Sequence, residues 1–379
     1  MNILYITQAG FGLPSAETTH AMEIIKSFIK MGHNVTVAFS GSDVNIRGIN
    51  VDLICHPRTG LLPWRLGFQV WLLRRFVLGV KHHNFDLIYV RQSALMFAPV
   101  LIKLVSRARL ITEFNTMFSH AGVVKKNFLN YFVVKLVENL TIMASDRVVV
   151  VSSKLLQTLS SRYGSITRKS KVIGNGCNLD FMRPQNKNKA RIKFGIPLDA
   201  FVVGFVGHLH PWQGINVITD AVCELKKTKT NVVAVIVGSS DDINNYTEYA
   251  KLKGVGDSVM FVGALSYNDV PVIMSCFDIG LAPGIKESND NYLMRSPIKV
   301  YEYLANAKPV ISGALPSLYG IFKNHNIGYL IDPGNVEELV LRIRELMENQ
   351  ALMSQMGAEA RIVAEKYLSW DSAAIEILN

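Results

Sequence analysis

An α/β protein of two domains, each built on a parallel sheet, is what this sequence predicts, and three observations carry the prediction. Short runs of β-branched and aromatic residues alternate with longer stretches of helical period, as βαβ units require. That rhythm runs through the first half, breaks at the polar stretch RPQNKNKAR (residues 183–191), and starts again. A chain of 379 residues is also more natural as two such domains than as one.

The first alternation places strands at residues 3–7, 34–39, 87–90, 109–113, 147–151 and 171–173, with helices between them such as 18–31 and 127–144. The second places strands at 201–206, 231–237, 259–261, 279–282, 309–311 and 328–330. The opening MNILYITQAG has no basic leader and reads as the first strand, not as a signal peptide. Uncharged apolar runs of about eighteen residues, the length of a spanning helix, do not occur. Cys55, Cys177, Cys223 and Cys276 lie far apart without a CxxC pair, so neither a zinc site nor a disulfide framework is indicated, and a reducing compartment fits.

Charge is uneven: Lys and Arg outnumber Asp and Glu by 22 to 9 in residues 1–184, against 18 to 21 in the rest. The first half therefore suits an anionic surface or substrate. Without a recognisable nucleic-acid-binding pattern, phospholipid is the better match.

Residues 296–310, SPIKVYEYLANAKPV, set one carboxylate, Glu302, in an apolar helix followed at once by a strand. Ser296 is placed as its N-cap and Pro297 at the first helical position, which leaves backbone N–H groups and the positive dipole end for an anion. Helical spacing puts Lys299, Glu302, Tyr303 and Asn306 on one side and Ile298, Tyr301 and Ala305 on another. A parallel sheet holds phosphorylated ligands in this way at its strand ends. The plainer alternative is a core helix with an incidental glutamate. Similarly, GFVGHLHPWQG (residues 204–214) follows a strand and precedes a helix, so its glycines let backbone approach a diphosphate, or simply make a tight turn over a buried Trp212. It is not GxGxxG, and no acid ends the next strand, which counts against a dinucleotide.

Taken in order, PSAETTH (14–20), MGHNVTV (31–37), DLIYVR (86–91), EFN (113–115), SDRVVVVS (145–152), IGNGCNLDFMRP (173–184), the GFVG turn, FDIGLAP (277–283), SPIKVYEY and the terminal YLSW (367–370) resemble the retaining GT-B glycosyltransferases of the large group 1 type. The resemblance implies two Rossmann-like domains facing across a cleft (GT-B): 1–183 on the acceptor side, 184–366 on the nucleotide-sugar side, and 367–379 as a helix returning to the first. Glu302 would accept hydrogen bonds from ribose hydroxyls. Backbone around Arg295, Ser296, Pro297, Ile298 and Lys299 would face the diphosphate or sugar, and Gly238 would lie near the base. Gly10 and Gly12 would shape the loop after the first strand, and Gly207 that after the second domain's first strand. Glu17, His20, Arg91 and Asn115 fall at expected strand ends or helix starts facing the cleft, Asn115 as a candidate sugar contact; Glu17 reads equally as a simple charge at a helix N-terminus and His20 as a polar residue on the helix surface.

Three departures stand out. The GFVG loop carries His208 and Gln213 where the family often has Arg and Lys, so Lys299, Arg295 or a protonated His208 would have to compensate. The position eight before Glu302, an acid in the family's EX7E pattern, is Met294. Ser15 and Ala16 replace a common glycine pair. The expected activity is retaining, metal-independent hexosyl transfer from a nucleoside-diphosphate-sugar to a saccharide or lipid-linked saccharide, in cell-surface polysaccharide or glycolipid synthesis, cytoplasmic or peripheral at the inner membrane face. No cofactor, metal or nucleic acid is expected; Asp241-Asp242 reads as a helix cap. A non-transferring nucleotide-sugar or partner-binding protein, or a sugar-nucleotide epimerase, are the alternatives. Residues 61–83, which mix Trp64, Phe68, Trp71 and Phe76 with Arg65, Arg74, Arg75 and Lys81, read either as a core helix with solvated arginines or as a helix lying on an anionic bilayer. The basic first half favours the second.

Overall fold

The structure is a computed structural model that describes residues 1–9, 15–41, 52–56, 63–78, 84–120, 128–164, 166–286 and 292–379. Contacts divide the chain into two compact units: Met1–Gly174 with Leu293–Arg295 and Trp370–Asn379, and Asn175–Tyr292 with Ser296–Ser369.

In the first unit, β1 (Asn2–Thr7), β2 (Asn34–Ser40), β3 (Asp52–His56), β4 (Leu87–Arg91), β5 (Arg109–Phe114), β6 (Arg147–Val150) and β7 (Ser170–Val172) form a parallel sheet in the order β3-β2-β1-β4-β5-β6-β7. Its helices are α1 (Ala16–Lys30), α2 (Trp64–Phe76), α3 (Ala98–Ser106), α4 (Phe128–Ala144) and α5 (Ser153–Tyr163), joined by the C-terminal Trp370–Leu378. That last helix docks on α1: Ser27 Oγ donates to Asp371 Oδ1 at 2.7 Å, and the Trp370 ring meets His20 edge-on at 5.0 Å.

The second unit repeats the plan with β8 (Phe201–Val206), β9 (Val232–Val237), β10 (Val259–Gly263), β11 (Ile279–Ala282), β12 (Val310–Gly313) and β13 (Gly328–Ile331), parallel in the order β10-β9-β8-β11-β12-β13. Its helices are α6 (Lys187–Phe194), α7 (Ile215–Lys226), α8 (Ile243–Leu252), α9 (Val270–Ser275), α10 (Ile298–Ala305), α11 (Pro316–Asn324), α12 (Val336–Glu348) and α13 (Gln350–Tyr367). All residues of β8 and β9 are buried, as a sheet covered on both faces demands.

Strand order reverses between β1 and β4 in one unit and between β8 and β11 in the other. In open parallel sheets of this kind, ligands bind at the carboxyl ends of the strands where the order reverses.

Four features of the structure differ from or add to the sequence reading. The edge strand β3 was not foreseen: DLICH is short, half-buried and ends in a histidine. Residues 183–191 are no bare linker, because α6 starts at Lys187 and Arg191 is buried, donating to Asp278 Oδ2 at 2.9 Å and to the carbonyls of Cys276, Leu198 and Ala200. The contact boundary falls after Gly174, ahead of that stretch. Finally, α2 is a core helix: Phe68, Gln69 and Leu72 are buried and Trp71 and Phe76 pack on the same cluster, so its apolar side is already used. Residues 61–62 and 79–83 of that stretch lie outside the described residues.

Candidate functional site

In the second unit, the turns that leave β8 and β9 are joined. The Gly207 N–H donates to Val237 O at 2.9 Å and Leu209 N–H to Ser239 O at 3.1 Å. Gly207 and Gly238 have φ of 140° and 144°, and a Cβ on Gly238 would stand 1.9 Å from Gly207 O. No other residue fits there. Gly238→Ala is expected to cost roughly 2–4 kcal/mol, from strained φ plus overpacking, read as a lowered thermal midpoint; an unchanged midpoint would contradict the close approach.

Lys299 reaches this turn from α10. Its Nζ donates to Gln213 Oε1 at 3.1 Å, lies 3.7 Å from the centroid of the Phe205 ring, and sits where a Cβ on Gly207 would come within 2.8 Å. One cation is thus held beside the β8 turn by an amide and an aromatic face. Beyond it, the rings of His208, His210 and Trp212 stack at 4.0 and 4.1 Å, a column that alternate spacing along HLHPW produces and that sequence reading missed. Trp212 is half-buried, and its carbonyl accepts from Ile285 N–H at 3.1 Å, which ties the column to the loop after β11.

α10 is pinned to both strands at the switch point. The Tyr303 hydroxyl accepts from Val206 N–H at 2.8 Å and donates to Leu281 O at 3.3 Å. Glu302 is half-buried between buried Tyr301 and Tyr303. Burial first, and then the charge of Glu302, push the Cys177 thiol up. Ser296 does not cap the helix. The cap position is Pro297, with no side-chain bond; Ser296 Oγ instead accepts from Asn175 N–H at 3.2 Å and bonds Tyr301 OH at 3.0 Å, while Asn175 Nδ2 donates to Ser296 O at 2.6 Å. These bonds fix the strand of chain that leads into α10, whose cap residue, Pro297, has no side-chain donor or acceptor to offer the first turn.

Gly207, His208, Gln213, Gly238, Ser296, Pro297, Ile298, Lys299 and Glu302 all lie in the second unit, where Lys299, Gln213, Gly207 and Gly238 are in contact. Arg295 falls in the first unit, as does Met294, whose side chain belongs to the core cluster of Phe114, Val150 and Leu155 and whose carbonyl accepts from Ser152 Oγ at 2.8 Å. A carboxylate at 294 would be unpaired in that core. Asp242 takes the cap position of α8 without a side-chain bond. Among the described residues no group of three His, Cys, Asp or Glu is placed to hold a metal ion.

The first unit gathers a second polar group at the ends of β4 and β5. Glu113, 1% exposed, accepts from His20 Nε2 at 3.0 Å, from Asn115 Nδ2 at 2.8 Å and from the Tyr89 hydroxyl, with Arg91 Nη1 3.5 Å away. Burial alone would raise its pKa, but His20, Arg91 and Tyr89 outweigh this and hold it down to about 2. Burial lowers the pKa of His20, and the Glu113 carboxylate opposes this. Glu17 is exposed, 4.0 Å from Arg91 Nε. Asn115 is half-buried, with its amide nitrogen committed to Glu113. Gly10 and Gly12 lie outside the described residues.

Residues 186–363 match the family described as Glycosyl transferases group 1, and residues 18–181 match Glycosyltransferase Family 4. The sequence is similar to the uncharacterized glycosyltransferase MJ1607 of Methanocaldococcus jannaschii, 24% identical over 95% of this chain and 92% of that one. It is also similar to D-inositol 3-phosphate glycosyltransferase of Nocardioides, 24% identical over 64% of this chain and 54% of that protein, about half of the relative's length. In structure it resembles Anabaena HepE, solved in complex with UDP, with a TM-score of 0.77 at 19% identity over 100% of this chain and 98% of that one. The fold is that of the GT-B glycosyltransferases, two parallel-sheet α/β domains.

Proposed function

We propose that this chain, whose second half matches Glycosyl transferases group 1 and first half Glycosyltransferase Family 4, moves a hexose with retention from a nucleoside-diphosphate-sugar to an acceptor hydroxyl without a metal ion. The observation that carries the reading is Lys299, whose Nζ on Gln213 brings α10 against the Gly207 turn, itself packed on Gly238. Glu302 accepts two hydrogen bonds from a ribose diol. The N–H groups of Ile298 and Lys299 and the Lys299 ammonium meet the diphosphate, the ammonium standing at the turn where Gln213 replaces a cation. Gly238 leaves room for the base, and His208 heads the exposed end of the ring column beside the sugar.

In the transition state the sugar becomes cationic and the leaving diphosphate gains charge. Lys299 stabilises that charge in place, with the work a metal ion would otherwise do, and the acceptor attacks from the face the diphosphate leaves. Residues 1–183 form the acceptor side, where Asn115 and Glu17 meet a saccharide hydroxyl, residues 184–366 the donor side, and 367–379 the returning helix. The basic first half supports a lipid-linked acceptor at the inner membrane face, in polysaccharide or glycolipid synthesis.

Met294 favours a second reading, a nucleotide-sugar-binding protein that does not transfer, because the position of a sugar-contacting acid is an apolar core residue. Incubation with UDP-hexoses and lipid-linked saccharides, with the anomer assigned by NMR, separates the two. Transfer with the donor's anomeric configuration kept, unchanged by EDTA, is the expected result. An inverted product, or activity lost in EDTA and restored by manganese, contradicts the mechanism; donor binding without transfer to any acceptor gives the second reading.

A further inference from the structure

The helix α4 is apolar on both sides. Val134, Val137 and Ile142 face the unit's own core, yet Phe128, Phe132, Leu136, Leu140 and Met143 are exposed, Phe128 at 83%, Phe132 at 56% and Met143 at 68%. At 100° per residue these five fall within an arc of about 120°, a stripe along the helix broken by Asn139. Apolar residues all round mark a helix buried on every side. Beside it α3 leaves Leu101, Leu104 and Val105 exposed and is tied to α4 by Lys103 Nζ, which donates to Ala144 O at 2.7 Å.

Charge decides what covers this face. Across α3, α4 and α5 the cations are Lys103, Lys135, Lys154 and Arg162, and the one carboxylate, Glu138, is buried, accepting from Phe118 N–H, Ser119 N–H and the Tyr163 hydroxyl. At the edge of the stripe, Phe132, Lys135, Leu136, Asn139, Arg162 and Tyr163 line a cavity of about 300 Å³. Two cations, an amide and a phenol thus open beside the apolar residues, the arrangement an anionic phosphate headgroup with acyl chains requires. A second copy of this chain would bring the same cations against themselves.

We propose that the α4 face, with the Lys135–Arg162 cavity at its edge, is the surface by which the protein docks on an anionic phospholipid bilayer, with the helix in the plane of the interface. This replaces α2 as the membrane element. It deepens the reading of a membrane-face acceptor and rests on that reading only for the purpose of docking; the surface itself is tested without donor, acceptor or transfer.

The test is sedimentation of the full chain with phosphatidylcholine vesicles, plain or containing phosphatidylglycerol, at low and high salt. Binding to the anionic vesicles, weaker with salt, is expected. The exposed double variant Phe132→Ser/Leu136→Ser should weaken it by about tenfold or more, and Lys135→Glu should reduce the preference for anionic over neutral vesicles, with circular dichroism and melting unchanged in both. No binding by the wild type, equal binding by the double variant, or equal preference in Lys135→Glu overturns the proposal. So does a lipid-free dimer that the double variant converts to monomer, since the face then belongs to a second copy.

Discussion

Glu302→Ala is expected to lower kcat/KM for the donor by about two to three orders of magnitude, the cost of two charge-assisted hydrogen bonds made to the ribose. The fold should survive. Glu302 is half-buried, and the anchors of α10 are Tyr303 on Val206 and Leu281 and Ser296 on Asn175, none of which the substitution touches. A thermal midpoint within about 2 °C of wild type is the expected companion result. A variant that transfers normally removes the carboxylate from the donor site.

Glu113→Ala should be the most destabilising of the substitutions considered. The carboxylate is the shared partner of His20, Tyr89, Asn115 and Arg91, and removing one member of a buried charged group leaves the others unpaired, at about 3–5 kcal/mol. The same group sets the response to acid. A pKa held at about 2, against an ordinary 4.5, means that the folded state binds its proton later than the unfolded one. Its stabilisation is therefore complete above pH 4.5 and is lost as pH falls from 4.5 towards 2, on the order of 3 kcal/mol in all. His20 acts in the same direction: its lowered pKa means that unfolded chains take up a proton below the ordinary 6.5 before folded ones do. Denaturant melts across pH should thus show wild-type stability falling on acidification and Glu113→Gln falling less steeply. Parallel curves would show that the hub does not control acid stability.

The sheets were legible because buried parallel strands read as short β-branched runs, and among the described residues the bounds of twelve of thirteen strands lie within about two residues of the expected ones. The turns were legible too, since Gly207 and Gly238 are positions only glycine can hold. Side-chain partners across long stretches of chain were not. Ser296 looks like a helix cap in its own sequence, and nothing local reveals that Asn175 claims its hydroxyl. Lys299 stands near the missing loop cations only because α10 folds back over β8 to meet Gln213. Glu113 was visible as part of EFN, but its hub draws on α1, β4 and β5 together. The basic, aromatic α2 drew the membrane reading, while residues 127–144 were read only as a helix, with no expectation of the bare outer side that α4 shows.

The central claim is that a nucleoside diphosphate is held in the second unit by Glu302 and the turn that carries Lys299. Calorimetric titration of UDP into the full chain, beside Glu302→Ala, tests it most directly. The account predicts saturable one-to-one binding by the wild type and affinity lower by about tenfold or more in the variant. UDP affinity identical in the two proteins would contradict it.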